Sequence, residues 1–294
     1  MNFSGSKLRR LFGIRLGVLQ QHSPRRFEMA VACVLGGDEG LPSVSIVTPS
    51  LNQGDFIGAT VESVLKQGYP DLEYIIQDGG SSDKSLLCLH SYGERVDLRV
   101  EHDHGQADAL NRGFARSSGE VLGYLNADDV LLPGTLRKVG TYFRDHPEAD
   151  VVYGDRVLID ASGCKIGDWV LPYHDGMLLR YVDYIPQETV FWRRSAWERA
   201  GGKFDADFSF ALDWELFLRL QATGARFIHI PCFMGGFRVH AQQKTQSIFS
   251  VNGKSEIRAL RKKYMPTSFL ERLQCHVRHI IFLFRHVVML RFFN

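Results

Sequence analysis

The stretch from Gly119 to Asp129, GEVLGYLNADD, places carboxylates where a buried strand stops. Val121 to Leu125 are apolar or aromatic except for Gly123, a run suited to the inside of a sheet, and Asn126-Ala127-Asp128-Asp129 follows at once. In an open α/β sheet the ligand crevice lies beyond the carboxyl ends of the strands, so acids at such an end face a ligand. Hard oxygen donors there suit Mg2+ or Mn2+, which keep much of their water and complete their shell with one or two carboxylates and substrate phosphates. The plainer alternative is an acidic turn in which Asp129 caps the next helix and Pro133 opens it.

Two more acids stand in comparable places. Leu72 to Gln77 read as a strand running into Asp78-Gly79-Gly80-Ser81-Ser82-Asp83, where glycines let the backbone approach a ligand closely. Asp78 alone fits an Asx turn just as well; its repetition of the Asp128 position is what favours a ligand. Asp213, in FSFALDWELFLRL, stands at the start of an amphipathic helix, where N-capping is its structural alternative.

The elements that must position these acids alternate. Val44 to Ser50 is a β-rich strand with Pro49 near its end, and Asn52-Gln53-Gly54 makes a turn. Asp55 is expected to cap a helix whose apolar face carries Ile57, Val61, Val64 and Leu65 before Gly68 ends it. Leu98 to His102 form a strand and Gln106 to Ser117 a helix ahead of the acid-bearing strand. Strand and helix alternate from Val44 to His146, which argues a doubly wound, mostly parallel, Rossmann-like α/β sheet with right-handed crossovers.

Beyond Asp150 the regularity changes. Val151 to Asp155 and Val157 to Ile159 read as strands, Asp160 to Gly163 as a hairpin turn, and Lys165 to Val170 as the returning strand. Gln187 to Trp192 read as another strand, and Ser195 starts a helix that Gly201-Gly202 stop. This half is expected to cover the acceptor side of the crevice.

Composition sets the outer limits. The 294 residues suffice for one large core with appendages, and a net charge of +2 gives no reason to expect a nucleic-acid partner. Cys33, Cys88, Cys164, Cys232 and Cys275 are scattered without C-x-x-C spacing, which fits reduced thiols in a cytoplasmic setting. Arg9, Arg10 and Arg15 interrupt the N-terminal apolar segment, so neither a signal peptide nor a membrane span is expected. KLRRLFGIRLGVLQQ near the start, and Phe269 to Asn294 at the end, mix Arg with large apolar residues. Each suits a basic amphipathic helix lying on the inner face of a membrane, or a segment packed on the main domain.

Five blocks in order carry a resemblance: VSIVTPSLNQGDFIGATVESVLKQGYPDLEYIIQDGGSSDKS, GYLNADDVLLPGTL, PQETVFWRRSAWERAGG, ALDWELFLRL and GGFRVHAQQKT. Together, over about residues 43 to 245, they closely resemble the family-2 glycosyltransferases of the GT-A fold, and among these the bacterial enzymes of surface or exported polysaccharide synthesis. The resemblance implies an inverting hexosyltransferase that takes a nucleotide-diphosphate sugar, UDP-linked by expectation, and a saccharide or lipid-linked acceptor. It also implies a nucleotide-sugar half over 43–150 and an acceptor and catalytic half over 151–252; the residue pattern itself sets a basic N-terminal arm and linker over 1–42 and a basic amphipathic helical tail over 253–294.

Residue by residue, the same likeness assigns Thr48, Pro49, Ser50, Asn52, Asp78 and Gly79 to the donor pocket. Asp103, Gly105, Gln106 and Asp108 fall beside the base and ribose. Asn126, Ala127 and Asp128 match the D-x-D signature, with Asp128 the acid for Mn2+ or Mg2+ and Asn126 in place of the first acid. Asp213 matches the general base, with Leu212 before it where many members have Glu. His240 matches a distal metal or diphosphate ligand, and Arg238 or Lys244 a counter-charge for the departing diphosphate. Gln187, Glu188 and Trp214 are expected on the acceptor side, with Trp214 or Trp192 stacking on a sugar. Two other classes stay open: a nucleotidyltransferase, disfavoured because LNQGDF carries no basic residue, and a catalytically silent sugar-nucleotide scaffold suggested by Asn126.

Overall fold

The computed structural model describes residues 19–26, 37–241 and 252–293, with side chains through 290. The N-terminal basic segment up to Val18 and Lys244 lie outside the described residues.

Strand β1 (Val44–Ser50) is buried on both faces, as its unbroken β-rich run requires. Val44 and Ile46 enter one core cluster and Val47 the other. Helices α1 (Ile57–Leu65) and α4 (Thr135–Asp145) cover the first face; α3 (Gln106–Arg116) and α7 (Leu212–Ala222) cover the second. Gly113 lets α3 settle onto β1, because a Cβ there would lie 2.4 Å from Val47 Cγ1.

Parallel pairing joins β1 to β2 (Leu72–Asp78) and to β4 (Val121–Tyr124), and β2 to β3 (Asp97–Val100). β2 leads into the short helix α2 (Ser85–His90). β8 (Phe191–Arg193) then pairs antiparallel with β4 and with β6 (Val151–Asp160). β9 (Phe227–Val239) runs parallel to β6 and antiparallel to the two-residue β5 (Val130–Leu131), while β7 (Lys165–Trp169) hairpins onto β6. One sheet thus carries strands from both sequence halves, in the order β3-β2-β1-β4-β8-β6-β9-β5. The doubly wound part is β1 to β4, whose carboxyl ends align because Ser50 sits opposite Asp78.

Several boundaries differ from the sequence reading. The strands expected at 151–155 and 157–159 are one, since β9 pairs along all of β6. Gln187–Thr189 form a 3₁₀ turn and not a strand, because the Thr189 hydroxyl and amide both bond the Pro186 carbonyl, leaving only Phe191–Arg193 to pair. Asp129 caps no helix: α4 starts at Thr135 after Gly134 at φ 80°, and the chain between is drawn off to pair with β9. Asp55 caps nothing either, being ion-paired to Lys84 at 2.6 Å. The helix expected from Ser195 is α6 (Arg194–Arg199), which ends at Gly201 and Gly202, both at positive φ.

After α8 (Lys254–Tyr264), the tail forms one long helix, α9 (Phe269–Phe293). Cys275, Phe282 and His286 are buried against the domain, Phe282 meeting the Tyr184 ring at 4.9 Å. Arg278 reaches Asp175, the cap of α5 (Gly176–Leu179), at 2.8 Å. The opposite face leaves Leu270, Leu273, Val277, Ile280 and Phe284 exposed. Among the described residues no helix is long and apolar enough to cross a membrane.

Candidate active site

A cavity of about 340 Å³ opens beyond the carboxyl ends of β1 and β4. Its lining is strongly acidic: Asp103, Asp128, Asp129, Asp183, Glu188 and Asp213 all border it, and among the described residues Arg156 is the only cation that does. Trp169, Phe210 and Phe237 add aromatic surface.

The acidic loop after β4 is tied down from several sides. Thr60 Oγ1 bonds the carbonyls of Ala127 and Asp129. Asp129 is 1% exposed, accepts the Arg238 amide at 2.9 Å, and is held well above the usual carboxylate range by burial, then by the charges of Asp128 and Glu188. Asp128 keeps part of its carboxylate open, and its Oδ2 lies 3.0 Å from His240 Nε2. Asn126 is the hub of an amide chain: Gln106 Nε2 donates to its Oδ1 at 2.8 Å, and its Nδ2 donates to Gln187 Oε1 at 3.1 Å. An aspartate there could not donate to Gln187, so the amide has a structural task.

Asp213 sits inside the first turn of α7, with Ala211 at the cap position, and so is not the N-cap. Its Oδ1 accepts the Trp214 amide at 2.8 Å. Burial raises its pKa against the lowering influence of backbone amides and Arg156.

Of the residues singled out from sequence, Pro49, Ser50, Asp103, Gly105, Gln106, Asn126, Ala127, Asp128, Gln187, Glu188 and Asp213 border the cavity. Others do not. Thr48 is fully buried and bonded to the Tyr74 hydroxyl. Asn52, at φ 53°, accepts the Ser82 amide. Asp78 is fully buried, and its two oxygens accept from the Ser50 and Ser81 hydroxyls and the Gly80 and Ser81 amides, the Asx-turn arrangement. Gly79 lies behind the cavity wall, where its missing side chain admits Asp103; a Cβ would meet Asp103 Oδ2 at 2.5 Å. Asp108 is bound to the His104 amide and Arg112, contacts that pull its pKa down.

Two expectations are overturned outright. The Arg238 guanidinium does not face the cavity as a counter-charge for diphosphate: it is 4% exposed and donates to the carbonyls of Asp128, Asp160 and Ala161. Trp214 cannot stack on a sugar, since it is 1% exposed with its Nε1 bonded to the Leu179 carbonyl. Trp192, at 0%, is core as well.

Sequence reasoning missed Arg156, Trp169 and Asp183. Asp155-Arg156 did leave a trace, as charges inside an otherwise apolar strand. Glu188, itself 1% exposed, stands 2.9 Å from Arg156 Nε and so meets the cavity beside that cation.

Among the described residues no group of three His, Cys, Asp or Glu could cage an ion. Asp128 and His240 form a two-donor set, which fits an ion that takes the rest of its shell from diphosphate and water. His240 Nδ1 is buried without a hydrogen-bond partner among the described residues.

A parallel sheet continued by antiparallel strands, with an acidic loop at its carboxyl edge, defines a GT-A architecture. Solved structures share it: TarS 1-349 of S. aureus in complex with UDP-GlcNAc (TM-score 0.58, 16% identity, 70% of this chain and 61% of that one) and the mannosyltransferase PcManGT of Pyrobaculum calidifontis in complex with GDP-Man and Mn2+ (TM-score 0.60, 20% identity, 90% and 77%). Residues 45–240 match the Glycosyl transferase family 2 model, and the chain belongs to that family. It is similar to a PGL/p-HBAD biosynthesis glycosyltransferase of Mycobacterium bovis, 29% identical over 197 residues that cover 64% of this chain and 75% of the relative. It is also 32% identical over 195 residues to the O-antigen biosynthesis protein RfbC of Myxococcus xanthus, a match spanning 64% of this chain and 15% of RfbC. The chain is thus a family-2 glycosyltransferase.

Proposed function

We propose that the chain transfers a sugar from a nucleoside-diphosphate donor, a UDP-sugar first, to a hydroxyl of a saccharide or lipid-linked acceptor, inverting the anomeric centre. The observation that carries this reading is that Asp128 and Asp213, from distant parts of the sequence, border one cavity. In the reaction the Asp213 carboxylate takes the acceptor O–H proton while that oxygen attacks the anomeric carbon. The bond from that carbon to the diphosphate oxygen breaks on the opposite side, and its electron pair leaves with the nucleoside diphosphate. One base and one displacement give inversion.

Asp128 and His240 would hold Mn2+ or Mg2+, which offsets the charge gathering on the leaving diphosphate. The start of α3, with Gly105 and Gln106 at the cavity edge, offers the positive end of a helix to the same charge. TarS with UDP-GlcNAc and PcManGT with GDP-Man and Mn2+ support a sugar-nucleotide donor and a divalent ion. In this reading residues 43–150 handle the donor and 151–252 the acceptor, while α9 rests on the cytoplasmic leaflet near a lipid-linked acceptor. The silent-scaffold alternative rested on Asn126, and the Gln106–Asn126–Gln187 chain supplies another reason for that amide.

The test is release of nucleoside diphosphate from UDP-, GDP- and dTDP-sugars with Mn2+, Mg2+ or EDTA. Release from at least one donor, suppressed by EDTA, is expected. Silence across the panel with a folded protein would overturn the reading.

A further inference from the structure

Three residues on the acceptor half remain without a task in this scheme. Trp169 is half-buried on the cavity wall, with the Arg156 guanidinium carbon 5.9 Å from its ring centre. Arg156 is pinned from two sides, its Nε 2.9 Å from Glu188 and its guanidinium 4.7 Å over Phe237, which leaves its terminal amino groups for a ligand. Asp183, steadied by the Ile185 amide, opens to the cavity's solvent. The crowding of protein around it, then the charge of Asp213, raises its pKa.

An aromatic face beside side chains that accept and donate in plane is the chemistry that holds a pyranose. The C–H face of the ring packs on indole, and its hydroxyls donate to a carboxylate and accept from a guanidinium. The acid excess also says which pyranose. A carboxylate or phosphate on that sugar would meet Asp183 and Asp213 with, among the described residues lining the cavity, only Arg156, already paired to Glu188, to offset it.

We infer that Trp169, Arg156 and Asp183 form the subsite for the acceptor's terminal residue, and that this residue is a neutral pyranose. The inference rests on the transferase reading and specifies its acceptor. Trp192, Trp197 and Trp214 are 0%, 4% and 1% exposed, so Trp169 is the tryptophan a sugar can reach.

The test needs no donor. The full chain is titrated with methyl glycosides of glucose, galactose, mannose and rhamnose, and with methyl β-glucuronide, following tryptophan fluorescence and saturation-transfer NMR. At least one neutral glycoside is expected to change the fluorescence and receive saturation, and the glucuronide to do neither at the same concentration. Trp169→Ala should cut the saturation transfer at least tenfold with thermal unfolding retained. Asp183→Asn should weaken the neutral sugar at least threefold and admit the glucuronide. Silence of every neutral glycoside, undiminished transfer in folded Trp169→Ala, or equal binding of the glucuronide by the unaltered chain would overturn the subsite. Nucleoside diphosphate release without acceptor is read separately: its absence beside intact glycoside binding strikes the transferase reading alone.

Discussion

His240 Nε2 lies 3.0 Å from Asp128 Oδ2 across 112 residues of sequence, and the Phe56 ring packs against the imidazole at 4.4 Å. The end of β9 thereby fixes the rotamer of the acid at the end of β4. Removing Asp128 takes away the only acid of the signature that opens to the cavity, so Asp128→Ala should lower donor turnover at least a thousandfold even in saturating Mn2+. His240→Ala should leave turnover measurable and raise the Mn2+ concentration for half-maximal rate at least about 10–100-fold, since it removes both one of the two groups that would hold the ion and the partner that orients Asp128. A Mn2+ titration of nucleoside diphosphate release reads both; unchanged Mn2+ dependence in His240→Ala would remove that residue from the site.

Asp213 carries the pH dependence. Burial lifts its pKa, so the carboxylate needed as base is lost at a higher pH than for an ordinary aspartate. The acid limb of kcat should therefore fall above the usual carboxylate range. Asp213→Asn should bind donor normally in thermal-shift assays while transfer drops about 10²–10⁴-fold. The sign for stability is opposite to that for activity. A carboxyl whose pKa is raised by folding contributes stability below its unfolded pKa, and that contribution disappears as pH rises through the folded value. Asp213→Asn should then unfold at a higher temperature than the unaltered chain near pH 8 and show no such advantage near pH 4.

Arg238 is a structural cation. The carbonyls of Asp128, Asp160 and Ala161 lose the Arg238 donor if it is replaced by Met, although Asp160 keeps the Gly163 amide, and the site is 4% exposed. The loss should be about 3 kcal/mol of unfolding free energy, read by urea denaturation. Because the same carbonyl of Asp128 belongs to the acid loop, donor turnover should fall with it. A variant of normal stability with a raised donor KM alone would restore the diphosphate role.

Trp214 offers the converse check. Trp214→Phe leaves the Leu179 carbonyl unpaired in the core and should cost about 1–3 kcal/mol of stability without altering acceptor KM.

The fold was legible where local pattern and tertiary structure agree. β1, β2 and β4 are β-rich, mostly apolar runs followed by polar residues, and each run can be read without knowing its neighbours. Elements that exist only through long-range pairing were not legible. β5 is two residues made a strand by Gly235 and Gly236, and the turn at 187–189 is set by the Pro186 carbonyl. The same divide runs through the site. Asp128 and Asp213 follow from motif and strand end. Arg156 and Trp169 depend on how the β6–β7 hairpin folds over the cavity, and Asp183 on the loop after α5. Asp78 and Arg238 show the reverse: side chains whose types suit a ligand, consumed by carbonyls, amides and hydroxyls of their own scaffold.

The tail divides along the helix. Cys275, Phe282 and His286 hold α9 to the domain, so deleting it would strip the core and confuse unfolding with lost docking. Exposed Val277, Ile280 and Phe284 lie one turn apart on the other face, and Arg272, Arg278 and Arg285 share the helix, with Glu271 its acid. An apolar stripe among cations is the pattern that enters the boundary of an anionic bilayer, apolar area supplying the bulk of affinity and Arg the salt-sensitive remainder. Ile280→Glu with Phe284→Glu changes exposed positions only and should keep the unfolding temperature. The unaltered chain should float with vesicles containing phosphatidylglycerol and float less as salt is raised. The double variant should stay at the bottom of the gradient; equal flotation of the two would show that α9 does not touch lipid.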